Sequence, residues 1–125
     1  MDSGEQEGFA RNRVRVAELE WRKARIRQLN DQLRAFGGGG RVMITNGLYD
    51  LDIVATALVQ VMRFSDFSEA NDPHDEHDFG SLEIDGHRVF WKIDYYDKSM
   101  DYGSPDPADP DVTARVLTIM LAEEY

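Results

Sequence analysis

Apolar positions recur at a helical period from Arg11 to Phe36. Leu19, Ile26, Leu29, Leu33 and Phe36 fall on one side of a 3.6-residue wheel, and no Gly or Pro interrupts the run. The pattern predicts an amphipathic helix over 11–36. Arg15 and Arg22 share its apolar stripe, and their charged heads need water or a carboxylate. The first turns are therefore expected to project beyond the core or to meet an acidic partner. Residues 1–10 carry no periodicity and read as a disordered tail. Gly37-Gly38-Gly39-Gly40 ends the helix, since glycine lacks helical competence and readily forms a left-handed cap.

The remaining chain, 41–125, reads as an α+β domain. Arg41 to Thr45 is a short strand and Asn46-Gly47 the turn leaving it. A second helix is expected over 50–64, capped by Asp50. Leu51, Val54, Ala55, Leu58, Val61 and Met62 would be its buried face. Residues 65–78 are polar and rich in turn formers, so a loop follows. Asp85-Gly86 lies between two alternating runs, which is the signature of a type I′ hairpin. A two-residue turn fixes the register: Ile84 opposite His87, Glu83 opposite Arg88, Leu82 opposite Val89. Leu82, Ile84, Val89, Trp91, Ile93 and Tyr95 then share the core face. Residues 97–110 form a loop. Asp109-Pro110 reads as the start of a last helix to Glu124, burying Val112, Val116, Ile119 and Met120. The order α-β-α-β-β-α implies two layers, a small and mainly antiparallel sheet with helices on one face.

Charge divides the chain. Of the 125 residues, 1–41 hold nine Lys/Arg against six Asp/Glu, while 42–125 hold five against eighteen. The basic helix thus carries +3 and the body −13, for a net −10. Such a body repels a phosphate backbone, so direct nucleic-acid binding is not expected. The basic stretch is expected to pair with its own acidic body, to dock on a second copy, or to remain a solvated face. Cysteine is absent, which excludes disulfides, zinc ribbons and thiol nucleophiles and suits a cytoplasmic location. No run of ~20 apolar residues and no signal-peptide pattern is present, so neither membrane insertion nor secretion is expected.

Three strings point to a family. Asn71-Asp72-Pro73-His74-Asp75-Glu76-His77-Asp78-Phe79-Gly80, Phe90-Trp91-Lys92-Ile93-Asp94-Tyr95-Tyr96-Asp97 and Asp106-Pro107-Ala108-Asp109-Pro110, followed by Arg115 to Ala122, resemble a family of small uncharacterised bacterial proteins sharing a domain of unknown function. The resemblance spans roughly residues 25–125, including Leu29-Asn30-Asp31 and Arg34. It implies no established activity and transfers no catalytic residues.

The first of these strings is also the chain's densest polar cluster. Asn71, Asp72, His74, Glu76, His77 and Asp78 combine imidazoles and carboxylates, the ligand set of zinc, manganese or iron. Extending the hairpin register sets His77 opposite Asp94 and His74 near Asp97, so His74, His77 and Asp94 form a candidate metal group. The plain alternative is a loop ordered by its own Asp and Asn side chains, Asp78 among them. Simple His–Asp catalysis is disfavoured, because surrounding carboxylates favour the protonated imidazole. No serine sits in a nucleophile elbow, and the tetraglycine follows a helix rather than a strand, the reverse of a phosphate loop. Phe90, Tyr96 and Arg88 could form a recognition patch on the second sheet face, or Phe90 could be covered by a loop. Val14, Arg15, Trp21 and Arg22 are the candidate contacts of the basic helix. Two functions follow as expectations. One is a protein-binding module, dimeric through its N-terminal helix or acting as a charge mimic of nucleic acid, with no cofactor. The other is a small metal-dependent enzyme built on residues 71–78.

Overall fold

A single helix, α1, opens the chain and outruns its own core stripe. The computed structural model describes residues 3–125, and α1 spans Ser3–Phe36. Its 34 residues make roughly 51 Å at 1.5 Å each. Residues 3–10, expected as a disordered tail, therefore belong to the helix, whereas Met1 and Asp2 lie outside the described residues. Glu5, Gln6, Glu7 and Ala10 are good helix formers by composition. Gly37 ends the helix at φ +75° as its N–H bonds Leu33 O at 2.8 Å.

The sheet follows in the order β1-β4-β3-β2, with β1 Arg41–Ile44, β2 Phe79–Ile84, β3 His87–Tyr96 and β4 Ala114–Leu121. β1 runs parallel to β4, and the other two pairings are antiparallel. The β2–β3 hairpin has the expected register, with Glu83 opposite Arg88 and Leu82 opposite Val89. Asp85 at φ 51° and Gly86 at φ 82° make the turn, as a type I′ geometry requires.

Several expectations for residues 41–125 are corrected. The C-terminal helix is instead β4, followed by a short 3₁₀ turn over Ala122–Glu124. β4 is the inner strand between β1 and β3, and Val116, Leu117, Ile119, Met120 and Leu121 are all buried. With Val116 and Met120 buried on the helix-free side as well, the strand loses the alternation that marks a half-buried one. Asp109 does not cap a helix; its carboxylate accepts the Asp111 N–H at 2.9 Å in a turn. The chain order is therefore α-β-α-α-β-β-β, still an α+β fold.

The expected helix over 50–64 is split in two, α2 over Asn46–Asp50 and α3 over Val54–Met62. Asn46-Gly47 starts α2 rather than forming a turn. Asp50 ends it, and Ile53 precedes α3 as its N-cap. The break lies at Asp52, whose φ of 55° cannot continue a right-handed helix. The buried face of α3 is Ile53, Ala57 and Val61, while Leu58 and Met62 are exposed. The run 53–62 is apolar nearly all round, so its phase is set by what it packs on.

The core lies between the helices and one sheet face. Leu33 of α1, Leu48 of α2 and Ile53, Ala57 and Val61 meet Ile84, Val89, Trp91, Ile93, Leu117, Ile119 and Leu121. Trp91 packs against Gly80, where a Cβ would overlap the indole nitrogen. The opposite sheet face carries no helix. Phe79, Phe90 and Tyr125 cluster on it. Beside them lies an open trough of about 740 Å³ lined by Met43, Tyr96, Met100, Val116 and Glu124 among others. Glu124 closes the end of the fold, accepting from Thr45 Oγ1, Gly47 N and Leu121 N. No helix among the described residues is long and apolar enough to cross a membrane.

Candidate functional site

One face of the rear half of α1 is polar and packed against the body, with Asn30 and Arg34 buried and Arg27 and Asp31 half-buried. Arg27, Asn30, Asp31 and Arg34 recur at i, i+3, i+4 and i+7, so they project to one side and meet the 65–78 loop and the sheet. Asn30 is fully buried. Its Nδ2 donates to Glu76 O at 3.0 Å and to Tyr95 Oη at 2.8 Å, and its Oδ1 accepts from Arg115 Nε at 2.7 Å. Tyr95 Oη in turn donates to Glu76 Oε2 at 3.0 Å. Burial pushes the Tyr95 phenol well above its ordinary value, so it stays a neutral donor. Arg115 also donates to Pro107 O and lies over the Tyr95 ring, 5.0 Å from its centre. Burial lowers the Arg115 pKa, against the opposing pull of Tyr95 and Glu76.

A second group adjoins the first. Asp31 Oδ1 accepts from His77 Nδ1 at 2.8 Å and from Arg34 Nη2 at 3.0 Å. The His77 ring stacks flat on Phe67, with centres 3.6 Å apart and planes 4° from parallel. Arg34 is buried, donates to Phe64 O, and sits over the rings of Phe67 and Trp91. Burial lowers its pKa while Asp31 raises it. Arg27 holds Asp75 Oδ2 at 2.7 Å. The far nitrogen of His77, Nε2, lies 3.7 Å from Asp72 Oδ2 and 3.9 Å from Asp75 Oδ1. Asp75 and His77 both have φ near 55°, the left-handed region, and these kinks turn their side chains toward one point.

The 71–78 segment is ordered largely as expected, but its members do different things. Asn71 ties the loop to itself, donating to Asp66 O and accepting from Ser68 N. Asp72 is buried and accepts the His77 N–H. Glu76 joins the Asn30 network, and His74 is exposed. Asp78 makes no side-chain tie to a neighbouring residue. Its carboxyl is raised above the ordinary range by burial first, then by Glu76 and Asp72. The grouping of His74, His77 and Asp94 does not form. His77 bonds Asp31 on the helix side, whereas Asp94 pairs with Lys92 at 2.8 Å. The reason is local: the pairing runs back only to Asp78 O, which accepts from Ile93 N, and the His77 kink then breaks the register. Asp97 lies in its own turn, accepting from Ser99, Asp101 and Tyr102. The Ser99 hydroxyl chiefly holds its pKa down.

The candidate contact residues divide likewise. Val14, Arg15 and Trp21 are exposed on the projecting part of α1, but Arg22 bonds the chain's own Asp106 at 2.6 Å. Arg22 and Arg27 thus use the body of the same chain, as one of the three readings of the basic stretch expected. Phe90 is covered by Phe79 and Tyr125, Tyr96 lines the trough, and Arg88 donates to Ser81 Oγ at 3.3 Å. Sequence reasoning missed Asp31, Arg34 and Arg115 as partners of this cluster. The one available signal was three buried-period positions of α1 occupied by Asn and charged residues.

A family model described as "protein of unknown function (DUF3768)" matches residues 44–124. The chain belongs to that family. The match takes in the whole 65–78 loop, the hairpin and β4, and it starts after α1, later than the resemblance read from residue 25. Within the DUF3768 segment lie Asp72, Asp75, Glu76, His77, Tyr95 and Arg115. Asn30, Asp31 and Arg34, which complete both polar groups, come from the helix outside it. No curated protein and no solved structure matches the chain.

Proposed function

We propose that this protein is a protein-binding module that self-associates, with the projecting half of α1 of one copy lying on the body of another. The observation that carries this reading is the exposure of α1 over residues 10–22, with Val14 at 63% and Trp21 at 64%. Ala10, Val14, Ala17 and Trp21 recur at i, i+4, i+7 and i+11, an apolar seam that the chain itself leaves uncovered. Residues 10–25 carry six Lys/Arg against two Glu, and the body beyond residue 41 carries −13, so arm and body attract. The seat best matched to the arm is the helix-free sheet face. Its trough offers Met43, Met100 and Tyr96, two of them flexible side chains that mould to a helix. Strands of eight to ten residues give this face a length of roughly 26–33 Å, enough for the roughly 18 Å of the arm. A reciprocal exchange of arms closes as a two-fold dimer.

Sedimentation of the full chain at micromolar concentration tests this. The expected result is a dimer at 0.1 M salt that weakens toward 1 M, as the screening length falls from about 10 to about 3 Å. Trp21→Glu in the arm and Met43→Asp in the trough should each give monomer. A monomeric wild-type chain, or a dimer indifferent to both substitutions, overturns the proposal.

A further inference from the structure

We infer that Asp72, Asp75 and His77 form a binding site for a divalent transition metal of the zinc type. Their ligand atoms lie within 4.8 Å of one another. His77 Nε2 stands 3.7 and 3.9 Å from the two carboxylates. Tetrahedral zinc with bonds near 2.1 Å needs donors about 3.4 Å apart, so shifts of a few tenths of an ångström would bring His77 into place. The set of one imidazole and two carboxylates leaves a fourth position, on the side where Asp75 is exposed to water.

Two observations beyond the spacing of the ligand atoms point to a cation. First, the Asp72 side chain is 3% exposed. Among the described residues its hydrogen-bond donor is the His77 N–H, at 3.2 and 3.4 Å, and no Lys or Arg reaches it. A carboxylate so deeply buried requires a compensating charge. Second, each remaining ligand is held by a partner on its outer side. Asp31 of α1 takes the His77 Nδ1 proton, which leaves Nε2 with its lone pair facing Asp72 and Asp75 in the neutral ring. Arg27 takes Asp75 Oδ2, and Oδ1 is left toward the same point. A carboxylate on the far nitrogen of a ligating histidine is the usual means of fixing its tautomer and aim. The imidazole selects zinc over magnesium, which takes oxygen donors.

The test is calorimetric titration of the untagged, chelator-stripped full chain with zinc, with magnesium as control. One zinc per chain is expected, with no heat from magnesium. His77→Ala should abolish binding. Asp75→Ala should weaken it at least about tenfold, the lower end of what even outer partners contribute. Because Asp75 is an exposed side chain, that variant reports on the ligand set even where His77→Ala unfolds the loop. His74→Ala and His87→Ala should leave binding unchanged. Absence of zinc uptake, or uptake that survives Asp75→Ala and His77→Ala, overturns the assignment. The arm residues 10–21 take no part, so this result and the state of assembly are read independently.

Discussion

Replacing Asn30 by Leu removes the hub between α1, the loop and the sheet while keeping the branched outline of the side chain, and the bulkier methyl groups can only add to the cost. Three hydrogen bonds go at once, to Glu76 O, Tyr95 Oη and Arg115 Nε. Their costs are unequal. Tyr95 keeps Glu76 Oε2 as its acceptor, so its loss is small. Glu76 O loses a donor in a part-buried position, about 1 kcal/mol. Arg115 Nε is left without an acceptor in a side chain only 2% exposed, a loss of about 2–3 kcal/mol for a charged donor. Leucine returns about 0.5 kcal/mol of helix propensity. The net expectation is about 3 kcal/mol, a large share of a domain's usual 5–15 kcal/mol. With a urea slope of about 2 kcal/mol per molar, the unfolding midpoint should fall by about 1.5 M. Unfolding should be followed at fixed protein concentration and high salt, so that self-association does not enter. Adding Arg115→Met should recover at least about 1 kcal/mol, since both partners are then apolar. A midpoint shift below about 0.3 M, or strict additivity of the two changes, would refute the hub.

Gly80→Ala should cost at least about 3 kcal/mol by thermal unfolding, because its Cβ would enter the Trp91 ring and meet Phe64. Gly86→Ala, with open space around its Cβ but φ +82°, should cost about 1 kcal/mol. Comparable losses would show that the hairpin tip, rather than the Trp91 seat, limits the sheet. Asp78 tests the pH dependence. Its carboxyl is raised in the fold, so the native state binds that proton more tightly than the unfolded chain. Its contribution to stability is therefore present below the ordinary carboxylate range and is lost as pH rises through the raised value. Asp78→Asn should accordingly raise stability at pH 7, on the order of 0.5 kcal/mol after solvent screening, and make no such gain near pH 3. A loss of stability at pH 7 would show that the charge is used.

The hairpin was legible because its information is local: Asp85-Gly86 dictates the turn, and two-residue alternation dictates the face. β4 was not, because its environment is set by β1 and β3, which lie far from it in sequence. Val116, Thr118 and Ile119 are β-branched and favour a strand, but Val112, Val116, Ile119 and Met120 recur at i, i+4, i+7 and i+8, an equally good helical stripe. Only neighbours on both sides decide between them. The phase of α3 was lost for the same reason. Within the polar cluster, extending the hairpin register pointed His77 to the wrong partner. His77 meets Asp31 across 46 residues, and that contact depends on a left-handed φ at a histidine, which no propensity rule foresees.

The two polar groups also explain how a helix half outside the fold can be aimed. Ile26, Leu29 and Leu33 alone would hold α1 to the core through a greasy stripe, and such stripes tolerate rotation at little cost. Asn30, Asp31 and Arg34 do not. Each satisfies a partner fixed in another element: Arg115 in β4, His77 and Phe64 in the loop, and Tyr95 in β3. A turn of the helix by one residue, about 100°, would strand Asn30 and Arg34 in a buried setting, at roughly 1–3 kcal/mol per group, and would break the Asp31–His77 bond. The rotation of α1 is thereby locked at its root, and a straight helix carries that rotation outward unchanged. Val16 and Leu19 continue the side that faces the sheet, and Val14, Ala17 and Trp21 are presented on the opposite side. The polar contacts of residues 27–34 thus decide which seam the exposed residues 10–21 present outward. This gives a set of costly buried groups a reason to stand where an apolar helix face would have sufficed for stability alone.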